Sequence, residues 1–555
     1  MISITGENMF NKTSGDKKHY QLNALLPYLP VILAILVMLP RLFFPNFGLF
    51  DDGKSIITAQ RLAGGDWRFQ FDATDARFRP IYWLSFAVIF NLFGEMPFVF
   101  FFVNMLALCV TTAALIGFLR RTGAKSLQAG LAGLFFVLSG SVIENYYTLS
   151  KGEGLQLFFI ALSLWLVTFF QYKSLFRRKA LLIAGVSVLL VCAALSKETS
   201  NIIFPISAAW FLIGWLWAKR TKGDAIGWRG AYLIASAIAF GCYFLFRSSS
   251  IKQAFTLQGY SENFTLTTAQ IMASVPRWAG WLTRDFSYLA IAIIILAVLL
   301  IGLHQKICNL QILLEMLVWM AAWVVIYLPW HFMAEYYMLP FALGAAVFSG
   351  LILGNALWWR RAITCILNVI ALALILLTVI NNITTAHIQL TVDSVNAQLM
   401  ETLARLPQNA TIYINIQFAN EYTDEIPMQL KARFNRSDLN ILIFNPSKMD
   451  SASCAYSACY IISPGVSNQP LLTVRMGLVE PSQIVWNQTL ADYQNEHQGW
   501  QKIQQITANF RMFAVDLPRM FCPFIKTHSF CASSAPFIDN RVFTYDWTLY
   551  ELETP

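Results

Sequence analysis

Residues 23–67 read NALLPYLPVILAILVMLPRLFFPNFGLFDDGKSIITAQRLAGGDW. The run over 23–44 is apolar and long enough to cross a hydrocarbon core, which takes about 20 residues of helix. It gives way to a polar stretch that opens on two adjacent carboxylates, Asp51 and Asp52. The run follows Lys17 and Lys18, exceeds the core of a secretory signal and ends in no small-residue cleavage pattern, so it is expected to stay as an anchor.

Composition extends that reading to the whole chain. Of 555 residues, 57% are hydrophobic and 13% charged, and the mean hydropathy is +0.53. Soluble domains carry about 45–50% apolar and about 25% charged residues, which excludes a soluble enzyme and a disordered chain. The formal net charge of +9 resides largely in links between apolar runs, where Lys and Arg set membrane orientation. No basic tract interleaved with aromatics points to nucleic acid, so no such partner is expected. Forty-four Phe, 17 Trp and 20 Tyr suit a lipid-facing surface with interfacial belts.

Ten further apolar runs fall near 95–119, 126–143, 154–171, 180–195, 201–218, 229–246, 285–303, 311–330, 336–356 and 361–381, giving about 11 expected transmembrane α-helices. Links after even-numbered spans read RRTGAK (120–125), QYKSLFRRK (171–179), AKRTKGDAIGWR (218–229), HQKICN (304–309) and WWRR (358–361). Short links on the other side, 144–153, 195–200 and 331–335, carry only Lys151 and Lys197. The positive-inside rule thus places residues 1–22 in the cytoplasm and the C-terminal part outside. Outer loops are expected at 45–94 and 247–284, with RPIYWLSFAVIFNLFG (79–94) as a short interfacial helix opened by Pro80. Short inner loops and no visible retention signal suggest a bacterial inner membrane, although an endoplasmic reticulum membrane has equivalent topology, and there Asn263, in NFT, would face the lumen.

Beyond residue 385 the pattern changes. IQLTVDSVNAQLMETLARLP (388–407) has helical periodicity, whereas TIYINI (411–416), LNILIF (439–444) and CYIIS (459–463) are short strand-like runs. Residues 385–555 are therefore expected to form an extracytoplasmic α/β domain after a membrane domain over 23–384. Cys454, Cys459, Cys522 and Cys531 fall in it, and two disulfides between sequence neighbours are expected. Cys109, Cys192, Cys242, Cys308 and Cys365 lie in or beside spans as small packing residues.

Charge at a membrane is costly, so the acids and bases left on the outer side are the informative ones. Asp51 and Asp52 repel each other, which suits a general base working near neutral pH; equally, either caps a helix through 54–63. Arg77 and Arg79 can bind phosphate bidentately, anchor to lipid headgroups, or pair with Asp72 and Asp75. Glu144, Lys151 and Glu153 crowd one short link, and Lys197 with Glu198 another, where they either snorkel to water or line a cavity. PWHFMAEYYMLP (329–340) adds His331, Glu335, Tyr336 and Tyr337; His331 and Glu335 alone are too few to hold a metal, and the aromatics equally suit an interfacial belt.

These segments resemble the GT-C membrane glycosyltransferases over roughly residues 20–340. FDDGKSIITAQRLAGGDW (50–67) is similar to the first outer loop of the protein O-mannosyltransferases and of the aminoarabinose transferases that modify lipid A. RFRPIYWLSFAVIFNLFG resembles the Arg-Pro helix of the tetratricopeptide-bearing O-mannosyltransferases, and LSKETSNIIFP and EYYMLP resemble that group's Lys-Glu and Glu-Arg-Tyr-Leu-x-Leu-Pro segments. The usual His-Pro before the third-loop acid is absent, Glu335-Tyr336 stands where the pattern has Glu-Arg, and no tetratricopeptide array follows. The acceptor therefore stays open among protein, lipid and glycan.

The resemblance implies inverting transfer of a sugar from a polyprenyl-phosphate carrier at the outer face. By it, Asp51 is the base and Asp52 orients it or the acceptor, while Arg77, Arg79 and Lys197 hold the departing phosphate. Glu144, Glu153, Glu198 and Glu335 are assigned to sugar hydroxyls or to those cations, with Lys151, His331 and Tyr336 completing the substrate-binding set. No cofactor is expected; a divalent metal between carboxylate and phosphate is possible chemistry that single-sugar donors in this superfamily generally do without. The rival readings are a transporter or flippase, a polymerase or ligase of lipid-linked glycans, and a non-catalytic scaffold. Paired, Gly/Pro-broken short spans of the transporter kind are not seen.

Overall fold

The computed structural model describes residues 25–49, 52–67, 77–149, 151–171, 176–221, 227–250, 267–272, 286–297, 309–330, 335–356, 362–416, 419–446, 454, 458–465, 483–496, 499–511, 513–515 and 538–552. Among them the chain is a helix bundle followed by a small mixed sheet. In chain order the helices are α1 Leu29–Phe43, α2 Asp52–Ala63, α3 Pro80–Phe93, α4 Pro97–Arg121, α5 Ser126–Val137, α6 Gly140–Tyr146, α7 Glu153–Val167, α8 Phe176–Ser196, α9 Ile203–Thr221, α10 Gly227–Ser250, α11 Ser287–Ala297, α12 Leu310–Tyr327, α13 Leu339–Ala356 and α14 Ala362–Ala404.

Among the described residues nine helices are long and apolar enough to cross a membrane, or ten if α5 and α6 form one span bent by 57°. The eighth expected span, 285–303, appears as the apolar α11, Ser287–Ala297, and residues 298–308 lie outside the described part. The single span expected over 126–143 is broken because Ser139 and Gly140 interrupt it, Ser139 Oγ donating back to Phe136 O at 2.8 Å. Helix ends follow local chemistry: α4 opens on Pro97 and closes on Arg120 and Arg121, cations favoured by the C-terminal dipole. As expected, Pro80 stands at the first position of α3, with Arg79 as its N-cap residue.

The bundle core centres on α13, which with the turn before it is buried throughout residues 336–354. Small residues allow this. A Cβ on Gly350 would come within 2.7 Å of Ala132 Cα, and one on Gly354 within 3.0 Å of Gln128 Cα, so α13 packs backbone to backbone on α5.

The expected helix 388–407 is no separate element: α14 runs unbroken for 43 residues from the bundle into the sheet region. No Gly or Pro interrupts it, and its polar mid-section is satisfied laterally. Asn381 Nδ2 donates to Val515 O at 2.9 Å, Thr384 Oγ1 to Phe513 O at 2.7 Å, and Asn382 Nδ2 to Leu138 O.

Beyond α14 come β1 Thr411–Ile414, α15 Ala419–Phe434, β2 Asn440–Ile443, β3 Cys459–Pro464, α16 Gln483–Glu496, β4 Trp500–Arg511, β5 Ala514–Val515, β6 Ile538–Asp539 and β7 Val542–Leu552. The main sheet has the order β2-β1-β3-β7-β4; β1 is parallel to β2 and β3, and β7 is antiparallel to β3 and β4. β1, β2 and β3 coincide with the three strand-like runs, with α15 as the crossover between parallel neighbours. Cys454 and Cys459 form a disulfide, whereas Cys522 and Cys531 lie outside the described residues. Arg436 ties the end of α14 to the sheet: Nη1 donates to Leu406 O at 2.8 Å, and Nε and Nη2 clasp Asp438 at 2.8 and 2.9 Å.

Candidate functional site

Helices alternate in direction through the bundle, so the starts of α7, α9 and α13 and the ends of α8 and α12 share one face, opposite the Lys/Arg links. Most of the charged residues singled out above meet there. Lys197, extended in the link after α8, places Nζ 2.8 Å from Glu153 Oε1 in the first turn of α7. Both side chains are withdrawn from solvent, at 8% and 0% exposure. The approach is close because residue 152 is glycine: a Cβ there would stand 3.1 Å from Ser196 O and 3.7 Å from both Lys197 Cδ and Tyr82 Cδ2.

Aromatic rings and hydroxyls complete this hollow. Lys151 Nζ lies 3.9 Å above the Tyr336 ring and Lys197 Nζ 5.2 Å from the Tyr337 ring. Tyr336 and Tyr337 are 4.1 Å apart, and Tyr327 at the end of α12 lies 5.0 Å from Tyr337. Asn145 Nδ2 donates to Tyr336 O at 2.9 Å, anchoring the turn Glu335–Met338 to α6. Gln156 Nε2 donates to Thr199 Oγ1 at 3.1 Å and to Ser200 Oγ at 2.9 Å, fixing the link that carries Lys197 and Glu198. Glu144, on α6, is within electrostatic reach of Tyr336.

The arginines arrive from α3. Arg79 is buried at its N-cap, with the guanidinium 5.3 Å from the Tyr82 ring and 5.7 Å from that of Trp83. Lys197, Arg79 and Arg77 all lie within electrostatic reach of Glu198, whose Oε2 is buried without a hydrogen-bond partner among the described residues. Glu198 thus sits among three cations.

Asp52 occupies a different setting. It opens α2, is fully buried, and accepts a hydrogen bond from Gly48 N at 2.6 Å. Amides in the first turn of α2 are engaged by Glu425 on α15: Oε1 accepts from Gly53 N and Oε2 from Lys54 N, the latter at 3.3 Å. Gln429, one turn on, donates to Gly48 O at 2.7 Å, and Arg433, two turns on, lies 5.4 Å from the Phe47 ring. Burial lowers the pKa of Arg433 from its ordinary value, opposed by Glu95, Glu401 and Asp52; burial likewise raises the carboxyl of Glu95, opposed by Arg433. α2 packs on α3, which is preceded by Arg79 at its N-cap and carries Tyr82 in its first turn, so the start of α2 and the cation cluster flank one aromatic core.

The structure therefore gathers Arg77, Arg79, Glu144, Lys151, Glu153, Lys197, Glu198 and Tyr336, and sets Asp52 on the neighbouring loop. Asp51 and His331 lie outside the described residues, as does the side chain of Glu335. Sequence reasoning missed Gln156, Thr199 and Tyr327 inside the cluster, and Glu425, Gln429 and Arg433 beneath Asp52. The last three recur every fourth residue along α15, a polar stripe visible in the sequence once that helix is placed. Also missed was the fully buried Arg41, whose Nη2 donates to Asp393 Oδ2 at 2.7 Å and locks α1 to α14. Among the described residues no three His, Cys, Asp or Glu side chains gather as a metal site.

No protein-family model and no curated protein matches the chain. Among solved structures it is similar to that of ArnT from Cupriavidus metallidurans bound to undecaprenyl phosphate, with a TM-score of 0.50 and 11% identity over 93% of this chain and 97% of that one. The Archaeoglobus fulgidus oligosaccharyltransferase, solved tethered to an acceptor peptide containing an NVT sequon, gives a TM-score of 0.47 and 12% identity over 81% of this chain and 70% of that one. The ArnT likeness, at that identity, is one of fold. The chain has the GT-C fold implied by its acidic first loop.

Proposed function

We propose that this protein is a membrane glycosyltransferase that moves a sugar from a polyprenyl-phosphate carrier to an acceptor hydroxyl, on the membrane face opposite its Lys/Arg-rich links. The gathering of Arg77, Arg79 and Lys197 around Glu198, with Lys197 paired to buried Glu153 at 2.8 Å, carries this reading. Phosphate entering the hollow takes over cations already gathered beside Glu153 and Glu198, so little reorganisation accompanies binding. ArnT, which has the same fold, was solved with undecaprenyl phosphate, a ligand of the proposed class.

In the proposed reaction the acceptor oxygen attacks the anomeric carbon from the side away from the phosphate, and the C–O bond to phosphate breaks with inversion. The acceptor proton passes to Asp51, which Asp52 orients, and the phosphate leaves with both bonding electrons, its charge met by Arg77, Arg79 and Lys197. Negative charge nearby also favours the oxocarbenium-like transition state. Glu144, Lys151, Glu153, Glu198, His331, Glu335 and Tyr336 bind sugar and carrier; no metal takes part in the proposed step. In this reading the protein lies in a bacterial inner membrane with residues 1–22 cytoplasmic, 23–384 as the membrane domain and 385–555 periplasmic.

Lipid-extract mass spectrometry of a strain lacking the protein tests the proposal. A polyprenyl-phosphate sugar accumulates, the intact gene clears it, and Asp51→Asn, present at normal levels, does not. Absence of any such lipid, or clearance by Asp51→Asn, overturns it.

A further inference from the structure

The chain on either side of the acidic pair, residues 47–49 and the start of α2 at Asp52, is held from beneath by the sheet domain, and the hold is specific. Phe47 belongs to the aromatic core shared by α2 and α3, whereas Leu49, two residues on, is buried in the core of the sheet domain with Ile388, Leu430 and Trp547. Between and after them, three hydrogen bonds run to one stripe of α15. Glu425, itself 2% exposed, accepts from Gly53 N and Lys54 N, and Gln429 donates to Gly48 O. Gly48 N in turn donates to Asp52 Oδ2, so Gln429 and Asp52 grip the same residue from opposite sides.

The amides that Glu425 engages are the unpaired N–H groups of the first turn of α2, where a carboxylate is favoured by both hydrogen bonding and dipole. Residue 53 has to be glycine for the carboxylate to reach them: a Cβ there would stand 2.7 Å from Glu425 Oε1 and 2.8 Å from Gln429 Cγ. Glu425 is 373 positions from Asp52, so the grip forms only when sheet domain and membrane bundle are assembled.

We infer that Glu425, assisted by Gln429, is a positioning residue for the start of α2: the sheet domain supplies in trans along the chain the cap that sets the height and rotation of Asp52, the residue that in the proposed reaction orients the base. This rests on the reaction proposed above. Its predicted signature is a loss of turnover without a loss of carrier binding, because Glu425 engages the loop and no member of the cation cluster.

Three measurements on the full-length protein in detergent test it: amide hydrogen exchange over residues 48–54, binding of undecaprenyl phosphate, and turnover of the polyprenyl-phosphate sugar accumulated by the deletion strain. Glu425→Ala should raise exchange at Gly53 and Lys54 by at least about tenfold, the size expected for losing a charge-assisted bond. It should lower kcat about 100-fold, as for a displacement of about 1 Å at a reacting group. KM and undecaprenyl phosphate binding should stay within about twofold. Glu425→Gln, isosteric and still an acceptor, should fall between Glu425→Ala and the native protein, and it decides the matter should the alanine variant not fold. Gly53→Ala should mimic Glu425→Ala. Raised exchange with kcat unchanged overturns the inference, as does unchanged exchange, or KM and kcat lost together. If Asp51→Asn abolishes turnover while Glu425→Ala spares it, the positioning role alone is wrong; if both spare it, the catalytic assignment has failed first.

Discussion

Lys197 Nζ lies 2.8 Å from Glu153 Oε1, and this pair joins the link after α8 to the first turn of α7 inside the bundle. Removing one partner of a buried pair leaves the other charge uncompensated, at a cost of about 3–5 kcal/mol, whereas removing both is far milder. Lys197→Met should therefore lower the thermal unfolding midpoint in detergent sharply, and Lys197→Met with Glu153→Gln should recover most of it. Transfer should stay lost in both, because the proposed phosphate contact is absent from both. Recovery of transfer in the double variant would reduce Lys197 to a structural role.

Arg41 and Asp393 make another such pair, with Arg41 Cζ also 3.9 Å from the centre of the Phe101 ring. Asp393→Asn keeps the shape and removes the charge, so Arg41 remains buried opposite a neutral group. A loss of about 3–5 kcal/mol is expected in unfolding experiments, with Arg41→Met/Asp393→Leu closer to native. Equal losses in single and double variants would contradict the pairing.

Gly350→Ala should cost about 1–3 kcal/mol, because the new methyl group meets the backbone of Ala132 and cannot be accommodated by a side-chain rotation. Gly241, also in a helix, has open space where its Cβ would be, so Gly241→Ala should be neutral or stabilising by up to about 1 kcal/mol. The contrast between the two variants is read from unfolding midpoints in one detergent. If Gly241→Ala proves as harmful, close packing of α13 on α5 does not explain the first loss.

Hydrogen bonds from Arg436, then from the amide of Asn409, hold the Asp438 carboxyl well below the usual carboxylate range. A carboxylate with a lowered folded-state pKa contributes stability above its unfolded pKa of about 3.9, and loses it as pH falls through the folded value. The difference in midpoint between the native protein and Asp438→Asn should thus be full at neutral pH and close progressively in acid. A difference that grows on acidification would reverse the sign.

The membrane bundle was legible because hydropathy reports length and burial together: each expected span falls on a helix except 126–143, which is split between α5 and α6. Topology alone also predicted that Arg79, Lys151, Glu153 and Lys197 share a face, since the ends of alternate helices must do so. Illegible were interactions that owe nothing to local pattern. Glu425 reads as one more acid on a polar helix, and only the assembled chain brings it to Gly53. β4 escaped notice because just Ile506 and Phe510 among its twelve residues are buried, too few to print an alternating signature. The continuity of α14 was masked by its own Asn and Thr residues, which look like a break until their partners, Val515 on β5, Phe513 just before it and Leu138 at the end of α5, are known.

At a rise of 1.5 Å per residue the 43 residues of α14 measure about 64 Å, roughly twice the thickness of a hydrocarbon core. Inserting one residue between Asn382 and Asp393 would swing everything beyond by about 100°, taking the sheet domain off its azimuth relative to the bundle. Related proteins that lengthen or shorten this rod would then have to do so by whole turns, and the count of residues along it is as much a constraint on the acidic loop as any side chain that touches it.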